Sequence, residues 1–312
     1  MKNEKRCYSS LDHNYILNEQ DMNLMLDLRG RVYSKHNIVL DIFGSIIYIE
    51  AKHTKFIDDL RDFIGLRETS LWRPYDFKIY AEWESLDPYF YRARPLSSNN
   101  ELKGIYFEHN NELKIWNSHR PPFPPTDIGG FNNNIAAFHS AALEYCSGKA
   151  MLILGNQRTG KTTLSINLVN SYNYSLLTDE VSYFLNGKNL VEPFPRWFNL
   201  VNANNIFEKN TVSANQIVNK ISSDPVKVDK LVFLEQSKIL KIETLNSHEA
   251  IKFLLLQTFN VSKVPTVTID TIFRLIREST YIKVDVVDYL SLNEVARLID
   301  KWVKNDKQQN LL

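Results

Sequence analysis

The sequence predicts an α/β protein, and its composition, one motif and the order of its elements support this fold class. The chain has 312 residues, of which 44% are apolar, enough for the core of one large or two ordinary domains. A short apolar run of strand type at 150–154 leads into a glycine-rich loop, and helical periodicity follows at 162–171. Strand and helix candidates then alternate towards the C-terminus, which is typical of an α/β domain.

The N-terminal part of the chain predicts a polar segment followed by a small α+β domain. Residues 1–20 are polar and lack the apolar core of a secretion signal. Residues 37–50 are rich in β-branched side chains and are interrupted by a glycine turn, a pattern that is typical of two strands. The other predicted elements of this domain are a helix at 55–64, a strand at 77–83 and a hairpin with strands at 104–107 and 113–116.

A stretch rich in proline, glycine and asparagine at 121–134 indicates a domain boundary. We therefore expect a polar segment at 1–20, a small α+β domain at 21–125 and a second domain at 126–312. The second domain has predicted strands at 141–145, 150–154, 175–177, 182–185 and 230–234, and predicted helices at 160–171, 247–259, 269–277 and 291–303.

Charge and cysteine content argue against several classes of function. The net charge is +1, so there is no global electrostatic case for binding nucleic acid or a membrane surface. No apolar run approaches the length of a bilayer span. Cys7 and Cys146 form no C-x-x-C pattern, which argues against a disulfide framework or a zinc site and fits a reducing compartment. We expect a cytoplasmic protein that binds neither nucleic acid nor membrane.

The glycine-rich loop is a complete P-loop with the pattern G-x-x-x-x-G-K-[ST]. Its glycines let the backbone wrap closely around phosphates, and successive N–H groups at the helix N-terminus then point at the anion. Lys161 can reach the β- and γ-phosphates, and the Thr162 hydroxyl can ligate Mg²⁺. We expect the Lys161 ammonium to be exposed and to contribute little to packing. The predicted nucleotide-binding residues are Gly155, Asn156, Gln157, Arg158, Thr159, Gly160, Lys161, Thr162 and Thr163.

Four further candidate residues lie outside the loop. Asp179 and Glu180 follow the strand at 175–177, and the carboxyl edge of a sheet is where an α/β protein places its chemistry. One carboxylate can hold Mg²⁺ while the other accepts a proton from an attacking hydroxyl. His139 precedes the strand that leads into the P-loop, where a core or turn histidine is the simplest interpretation. Arg196, in a proline-bracketed loop, is either a surface charge or a clamp for phosphate or carboxylate.

These segments resemble the HPr kinase/phosphorylase-like P-loop kinases. The resemblance lies in Ala-Ala-Phe-His-Ser-Ala-Ala-Leu-Glu-Tyr at 136–145, in the P-loop with its preceding strand, and in Leu-Leu-Thr-Asp-Glu at 176–180. It is closest to the serine kinases of lasso-peptide precursors, in which a Pro-Arg loop like that of Arg196 recurs. The resemblance implies the fold of that family's C-terminal kinase domain with a small N-terminal α+β domain, ATP and Mg²⁺ as cofactors, and a homo-oligomer.

The resemblance also implies a role for each site residue. Asp179 is the general base and His139 assists it, while Glu180 and Thr162 hold Mg²⁺. Lys161 and Arg196 complete the catalytic set. Glu180 stands where the family usually has an aspartate. The Glu-x-Arg-Gly stretch that follows the acidic pair in the HPr enzyme has no convincing counterpart, which argues against HPr as the substrate.

Together these patterns favour an ATP-dependent kinase that phosphorylates a hydroxyl, with serine preferred, on a peptide or small protein. A small-molecule hydroxyl kinase and a nucleotide-binding regulatory ATPase or GTPase remain open as alternatives. A GTPase needs an Asn-Lys-x-Asp base reader after the P-loop, and the nearest match at 219–222 ends in Ser222 instead.

Overall fold

The protein is a mixed α/β structure in which two extended sheets are covered by helices. The structure, a computed structural model, describes residues 36–70, 75–81, 105–109, 112–115, 134–202, 205–288 and 291–309. The predicted polar segment at 1–20 and the predicted domain boundary near residue 125 lie outside these ranges. Among the residues that are described, no helix is both long enough and apolar enough to cross a lipid bilayer.

The N-terminal sheet begins with a hairpin, as the β-branched run at 37–50 predicts. A helix then crosses to a third strand that runs parallel to the second, and an antiparallel pair completes the sheet. The helix buries Phe56, Leu60 and Phe63 on one face, the spacing expected of an amphipathic helix. In chain order these elements are β1 (Asn37–Ile42), β2 (Ser45–Ala51), α1 (Thr54–Ile64), a 3₁₀ turn (Gly65–Arg67), β3 (Phe77–Ala81), β4 (Ile105–His109) and β5 (Glu112–Ile115).

The second part of the chain builds a larger sheet and a separate hairpin. Its elements are β6 (Ile135–Phe138), β7 (Ser140–Cys146), β8 (Lys149–Gly155), α2 (Lys161–Tyr172), β9 (Ser175–Thr178), β10 (Ser182–Leu185), β11 (Leu190–Glu192), β12 (Phe198–Asn202), β13 (Asn205–Val212), α3 (Ala214–Ile217), β14 (Val226–Gln236), β15 (Lys241–Thr244), α4 (Ser247–Leu256), α5 (Pro265–Glu278), β16 (Thr280–Val286) and α6 (Leu292–Gln309).

Strand direction in the larger sheet brings two chain segments to one edge. β8 pairs in parallel with β14, and β14 pairs in parallel with β16. β7 lies between β8 and β9 and is antiparallel to both, so β8 and β9 run in the same direction. The carboxyl ends of β8 and β9 therefore lie at the same edge of the sheet. Because the P-loop follows β8 and the acidic pair follows β9, the fold places both at that edge.

The two sheets meet in a shared hydrophobic cluster. Buried residues of β1, β2 and α1 belong to the same cluster as Ile135, Ala137, Tyr183 and Phe194 of the second part. The Phe43 ring lies 5.0 Å from the Tyr183 ring and 5.7 Å from the Phe194 ring, measured between centroids. The predicted N-terminal and C-terminal units therefore share part of their core.

Every strand and helix predicted between residues 141 and 303 is present, with its ends shifted by a few residues. The predicted helix at 247–259 ends earlier, at Leu256. The chain turns there to pair with β6, since the Phe259 N–H donates to the Ala137 carbonyl at 2.9 Å and the His139 N–H donates to the Gln257 carbonyl at 2.7 Å. The sequence patterns missed β6, β11, the β12–β13 hairpin, α3, β15 and β16, most of which are short.

Candidate functional site

The P-loop connects β8 to α2, and close packing requires its two glycines. Gly155 has a φ of +151°, and a Cβ there would lie 2.5 Å from the backbone oxygen of Leu234 on the neighbouring strand. Gly160 is the N-cap of α2 with a φ of +93°, and a Cβ there would lie 2.7 Å from Leu292 Cδ1. Both positions thus need a residue without a side chain, for conformation and for space.

The Lys161 side chain folds back into the loop. Its Nζ donates to the backbone oxygens of Gly155 at 2.7 Å and Asn156 at 3.0 Å, and the residue is only 7% exposed. The expectation of an exposed ammonium was therefore wrong, because the loop closes around it. Burial lowers the pKa of Lys161 to about 8, although the charges of Asp179 and Glu180 act to raise it.

The rest of the loop combines internal bonds with exposed side chains. Thr159 is buried, and its hydroxyl donates to the Asn156 carbonyl at 2.9 Å. Arg158 has a φ of +69°, and its carbonyl accepts a bond from Gln236 Nε2 at 3.2 Å, which ties the loop to the end of β14. The side chains of Asn156, Gln157 and Arg158 are exposed, and Thr163 is half-buried at the start of α2.

Thr162 joins the P-loop to the acidic pair. Its hydroxyl donates to Asp179 Oδ2 at 2.9 Å. Asp179 is 2% exposed, and its other oxygen, Oδ1, has no hydrogen-bond donor among the described residues. Burial and the charge of Glu180 raise the pKa of Asp179 to about 6, against the opposing effects of the Thr162 bond, the Lys161 charge and the Glu180 backbone N–H. Asp179 thus presents a buried carboxylate beside the P-loop with one oxygen bonded to Thr162.

Glu180 faces Arg196, which comes from a distant loop. Glu180 has a φ of +64°, a conformation that is costly for residues other than glycine and that clusters at functional sites. Its Oε2 lies 3.6 Å from Nη2 of Arg196. Arg196 is 3% exposed, and its guanidinium lies over the Phe63 ring, 5.9 Å from the centroid. Of the two interpretations of Arg196, the structure therefore excludes a surface charge.

His139 occupies the bend between β6 and β7. Its Nδ1 lies 3.2 Å from Gln257 Oε1, and its ring stands edge-on to Phe259 at 5.7 Å. An amide oxygen only accepts, so Nδ1 carries the proton and Nε2 is the unprotonated nitrogen that can accept a hydrogen bond. Burial and the charge of Lys161 lower the pKa of His139 to about 4, although Gln257 and Glu180 act to raise it, which keeps the ring neutral near pH 7.

Gln257 is a site residue that the sequence patterns did not identify. It is 6% exposed, and its side chain contacts His139 Nδ1 through the oxygen and Asn156 Oδ1 through Nε2, the latter at 3.4 Å. It therefore links the histidine to the P-loop. No motif marks a glutamine after the end of a helix, and only the pairing of this segment with β6 reveals its position.

The structure brings the catalytic and metal-binding residues predicted from the sequence to one edge of the sheet. The oxygen atoms there suit Mg²⁺, a hard cation that binds one or two carboxylates and keeps several waters. No group of three or more His, Cys, Asp or Glu side chains forms a complete protein cage for a metal in the part of the chain that is described. The residues brought together are His139, Lys161, Thr162, Asp179, Glu180 and Arg196.

Comparisons with known proteins show no family for this chain. No family model matches it, and no curated protein sequence matches it significantly. Among solved structures, the chain matches the HPr(Ser) kinase/phosphatase from Coxiella burnetii with 11% sequence identity and a TM-score of 0.33, over 56% of this chain and 99% of that chain. A likeness at this level establishes neither a family nor an activity.

Proposed function

We propose that the chain is an ATP-dependent kinase that transfers the γ-phosphoryl group to a hydroxyl, with serine preferred, on a peptide or small protein. The observation that carries the proposal is the bond from Thr162 to the buried carboxylate of Asp179, whose second oxygen has no donor among the described residues. A P-loop by itself would serve a regulatory ATPase as well. An acceptor hydroxyl must lose its proton during transfer, and a buried carboxylate beside the P-loop hydroxyl can accept that proton.

The P-loop residues 155–163 would bind the nucleotide phosphates. The backbone N–H groups at the start of α2 suit an anion, because they have no partners within the helix. The Lys161 ammonium, which bonds to the Gly155 and Asn156 carbonyls, would turn to the β- and γ-phosphate oxygens. Phosphate charge favours the protonated amine, which offsets the burial that lowers its pKa to about 8.

Thr162 and Glu180 would hold Mg²⁺. The Thr162 hydroxyl donates its hydrogen bond to Asp179, so the lone pairs of its oxygen stay available to a cation. When bound there, Mg²⁺ would neutralise charge on the phosphoryl oxygens. The contact between Thr162 and Asp179 also favours a second assignment, in which Asp179 binds the metal and Glu180 is the base, and substitution of Asp179 distinguishes the two.

Asp179 would accept the proton of the attacking hydroxyl. With its pKa raised to about 6, the carboxylate is still mostly ionised at pH 7 and is a stronger base than an ordinary aspartate. His139 is neutral at that pH and presents Nε2 as an acceptor, so it would help to orient the hydroxyl.

Arg196 would hold the transferring phosphoryl group or an acidic group of the acceptor. Its guanidinium is buried and already pairs with one carboxylate, that of Glu180. Exposed apolar side chains on the segment that contacts His139 would pack against the acceptor peptide. Phe259, which contacts the histidine ring, is 43% exposed, and the nearby Leu256 is 68% exposed.

The proposal is tested by phosphate transfer from ATP to a degenerate peptide library with a fixed central serine. Mass spectrometry detects the gain in mass after the library, and in parallel a set of small hydroxyl compounds, is incubated with ATP, Mg²⁺ and the purified chain. A library with alanine at the central position and the Lys161→Ala variant are the controls. We expect phosphate on the serine library alone. Phosphate only on small hydroxyl compounds would favour the small-molecule kinase, and hydrolysis without transfer would favour a regulatory ATPase or GTPase.

A further inference from the structure

The loop that carries Arg196 is attached on two sides. We call residues 193–197 the Arg196 loop. On one side, the Phe194 N–H donates to the Leu177 carbonyl at 2.8 Å, which fixes the loop to the strand that carries the acidic pair. On its other side the loop contacts α1 and the 3₁₀ turn of the N-terminal sheet. The position of Arg196 therefore depends on residues far away in the sequence.

We propose that Asp62, on α1, is a positioning residue that holds the Arg196 loop against the acidic pair. This inference deepens the proposed function and rests on the role given there to Arg196. The Asp62 carboxylate accepts two bonds, one on each oxygen. Trp197 Nε1 donates to Oδ2 at 2.7 Å, and the Ser213 hydroxyl donates to Oδ1 at 2.8 Å.

These two donors flank the β12–β13 hairpin in the sequence, one before its first strand and one after its second. Trp197 immediately precedes β12, and Ser213 immediately follows β13. The strands pair with Phe198 opposite Val212, so the donors lie at the open end of the hairpin. The Asp62 carboxylate thus bonds to the residues on both sides of the hairpin and fixes Trp197, the residue next to Arg196.

The neighbours of Asp62 extend this contact along the loop. Phe63 packs edge-on against Trp197 at 5.7 Å and lies under the Arg196 guanidinium. Arg67 donates to the Pro193 carbonyl and lies 3.4 Å from Glu192 Oε2. The N-terminal sheet therefore contacts the loop before, at and after Arg196.

The effect we expect is local. Asp62 is exposed, so water can replace its partners at modest cost to global stability. A loop that loses an anchor opens locally without unfolding of the whole domain. Catalysis is more sensitive than stability, because a displacement of about 1 Å in a positioning group can cost about 10²-fold in rate.

The first measurement is tryptic cleavage after Arg196, identified from the masses of the fragments. The Arg196 side chain is 3% exposed, so the intact loop resists the protease. We expect Asp62→Ala and Trp197→Phe to raise the cleavage rate about tenfold, the effect of one lost hydrogen bond on local opening. Trp197→Phe keeps the aromatic packing and removes only the N–H donor.

Asp58→Ala is the matched control. Asp58 lies one turn earlier on the same helix and is well exposed, and within the described part of the chain it forms an ion pair with Arg61 of the same helix, at 3.9 Å. We expect wild-type cleavage and wild-type transfer from this variant, because its carboxylate has no bond to the loop among the contacts described.

The second measurement separates positioning from folding. With ATP and the serine peptide library, we expect Asp62→Ala to lower kcat about 10–100-fold, the cost of a misplaced group. ATP affinity by calorimetry should not change, because the P-loop has its own anchors. In an Arg196→Ala background, Asp62→Ala should cause no further loss. A general folding defect would instead lower the active fraction in both backgrounds.

Two results would overturn the inference. Wild-type cleavage in Asp62→Ala would mean that the carboxylate does not hold the loop. Faster cleavage with unchanged kcat would mean that the loop position does not matter for transfer. If the wild-type chain transfers no phosphate, the proposed function fails instead, and the cleavage rates alone decide whether Asp62 holds the loop.

Discussion

The proposed phosphate-binding half of the candidate site occupies the consecutive residues 155–163, whereas the other half is assembled from separate segments. The first half takes its shape from one strand, one loop and one helix N-terminus. The second half brings together side chains whose contacts span much of the chain, such as Arg196 with Phe63 and His139 with Gln257. We therefore expect changes in the first half to abolish nucleotide use, and changes in the second half to lower turnover while nucleotide binding persists.

The largest effect should come from Lys161→Ala, in the phosphate-binding half. We expect no measurable transfer, because the variant loses phosphate binding in addition to the about 10²–10³-fold that one electrostatic donor contributes to a transition state. Radiolabel transfer and ATP calorimetry measure the two losses. Lys252→Ala, at an exposed position of α4, is the control and should behave like the wild type. Wild-type transfer by Lys161→Ala would contradict the P-loop assignment.

Asp179→Asn changes a residue of the second half that bonds directly to Thr162 in the first half. The amide cannot accept the hydroxyl proton, so we expect kcat to fall about 10²–10⁴-fold, the usual worth of a general base. ATP binding in the presence of Mg²⁺ should persist, because the P-loop contacts remain. If calorimetry shows that this binding is lost, the metal-binding role belongs to Asp179 and the roles of Asp179 and Glu180 must be exchanged.

The same substitution should make the fold more stable in EDTA at pH 8. Burial raises the pKa of Asp179 from 3.8 to about 6, so the folded chain binds the proton more tightly than the unfolded chain. An ionised Asp179 therefore lowers the free energy of unfolding. This loss of stability is absent below pH 4, grows between pH 4 and 6, and is complete above pH 6, where it is at most about 3 kcal/mol. Urea unfolding should show the gain of Asp179→Asn at pH 8 and little gain at pH 4. Equal stabilities at pH 8 would contradict this prediction.

Arg196→Lys should lower acceptor turnover with little change in ATP affinity. A lysine ammonium cannot reproduce the planar fork, and a charge-assisted contact of about 1.5–3 kcal/mol corresponds to about 10–100-fold in rate. Turnover of the serine peptide library measures the effect. Arg274→Lys, an exposed position of α5, is the matched control. A neutral result at Arg196 would remove it from the catalytic set.

The smallest effect should come from Gln257→Leu. The variant removes the partner of His139 Nδ1, so the ring can adopt the tautomer that leaves Nε2 protonated. We expect kcat to fall about tenfold, the worth of one hydrogen bond that orients a catalytic group. Gln216→Leu on α3 is an exposed control. An unchanged kcat would show that His139 does not depend on this contact.

The sequence patterns indicated where the candidate residues lie better than they indicated what surrounds them. His139, Asp179 and Glu180 were identified from their place beside predicted strands and from the family resemblance, and they do lie beside the P-loop. The interpretation of Arg196 stayed open, because a proline-bracketed loop does not indicate which surface covers it. Gln257 was missed because the end of α4 is decided by pairing with β6, a strand too short and too rich in alanine to be recognised from its sequence.

The sequence by itself determined the strand, the P-loop and the helix that follows. These depend on local spacing: two glycines with positive φ, then a lysine and a hydroxyl at the helix start. Only the tertiary structure decided that Lys161 is buried, that Arg196 faces Glu180 and that Asp62 closes the β12–β13 hairpin. The physical reason is that these contacts depend on the order of strands in the sheet and on how the N-terminal sheet packs against it, neither of which leaves a periodic or local signal in the chain.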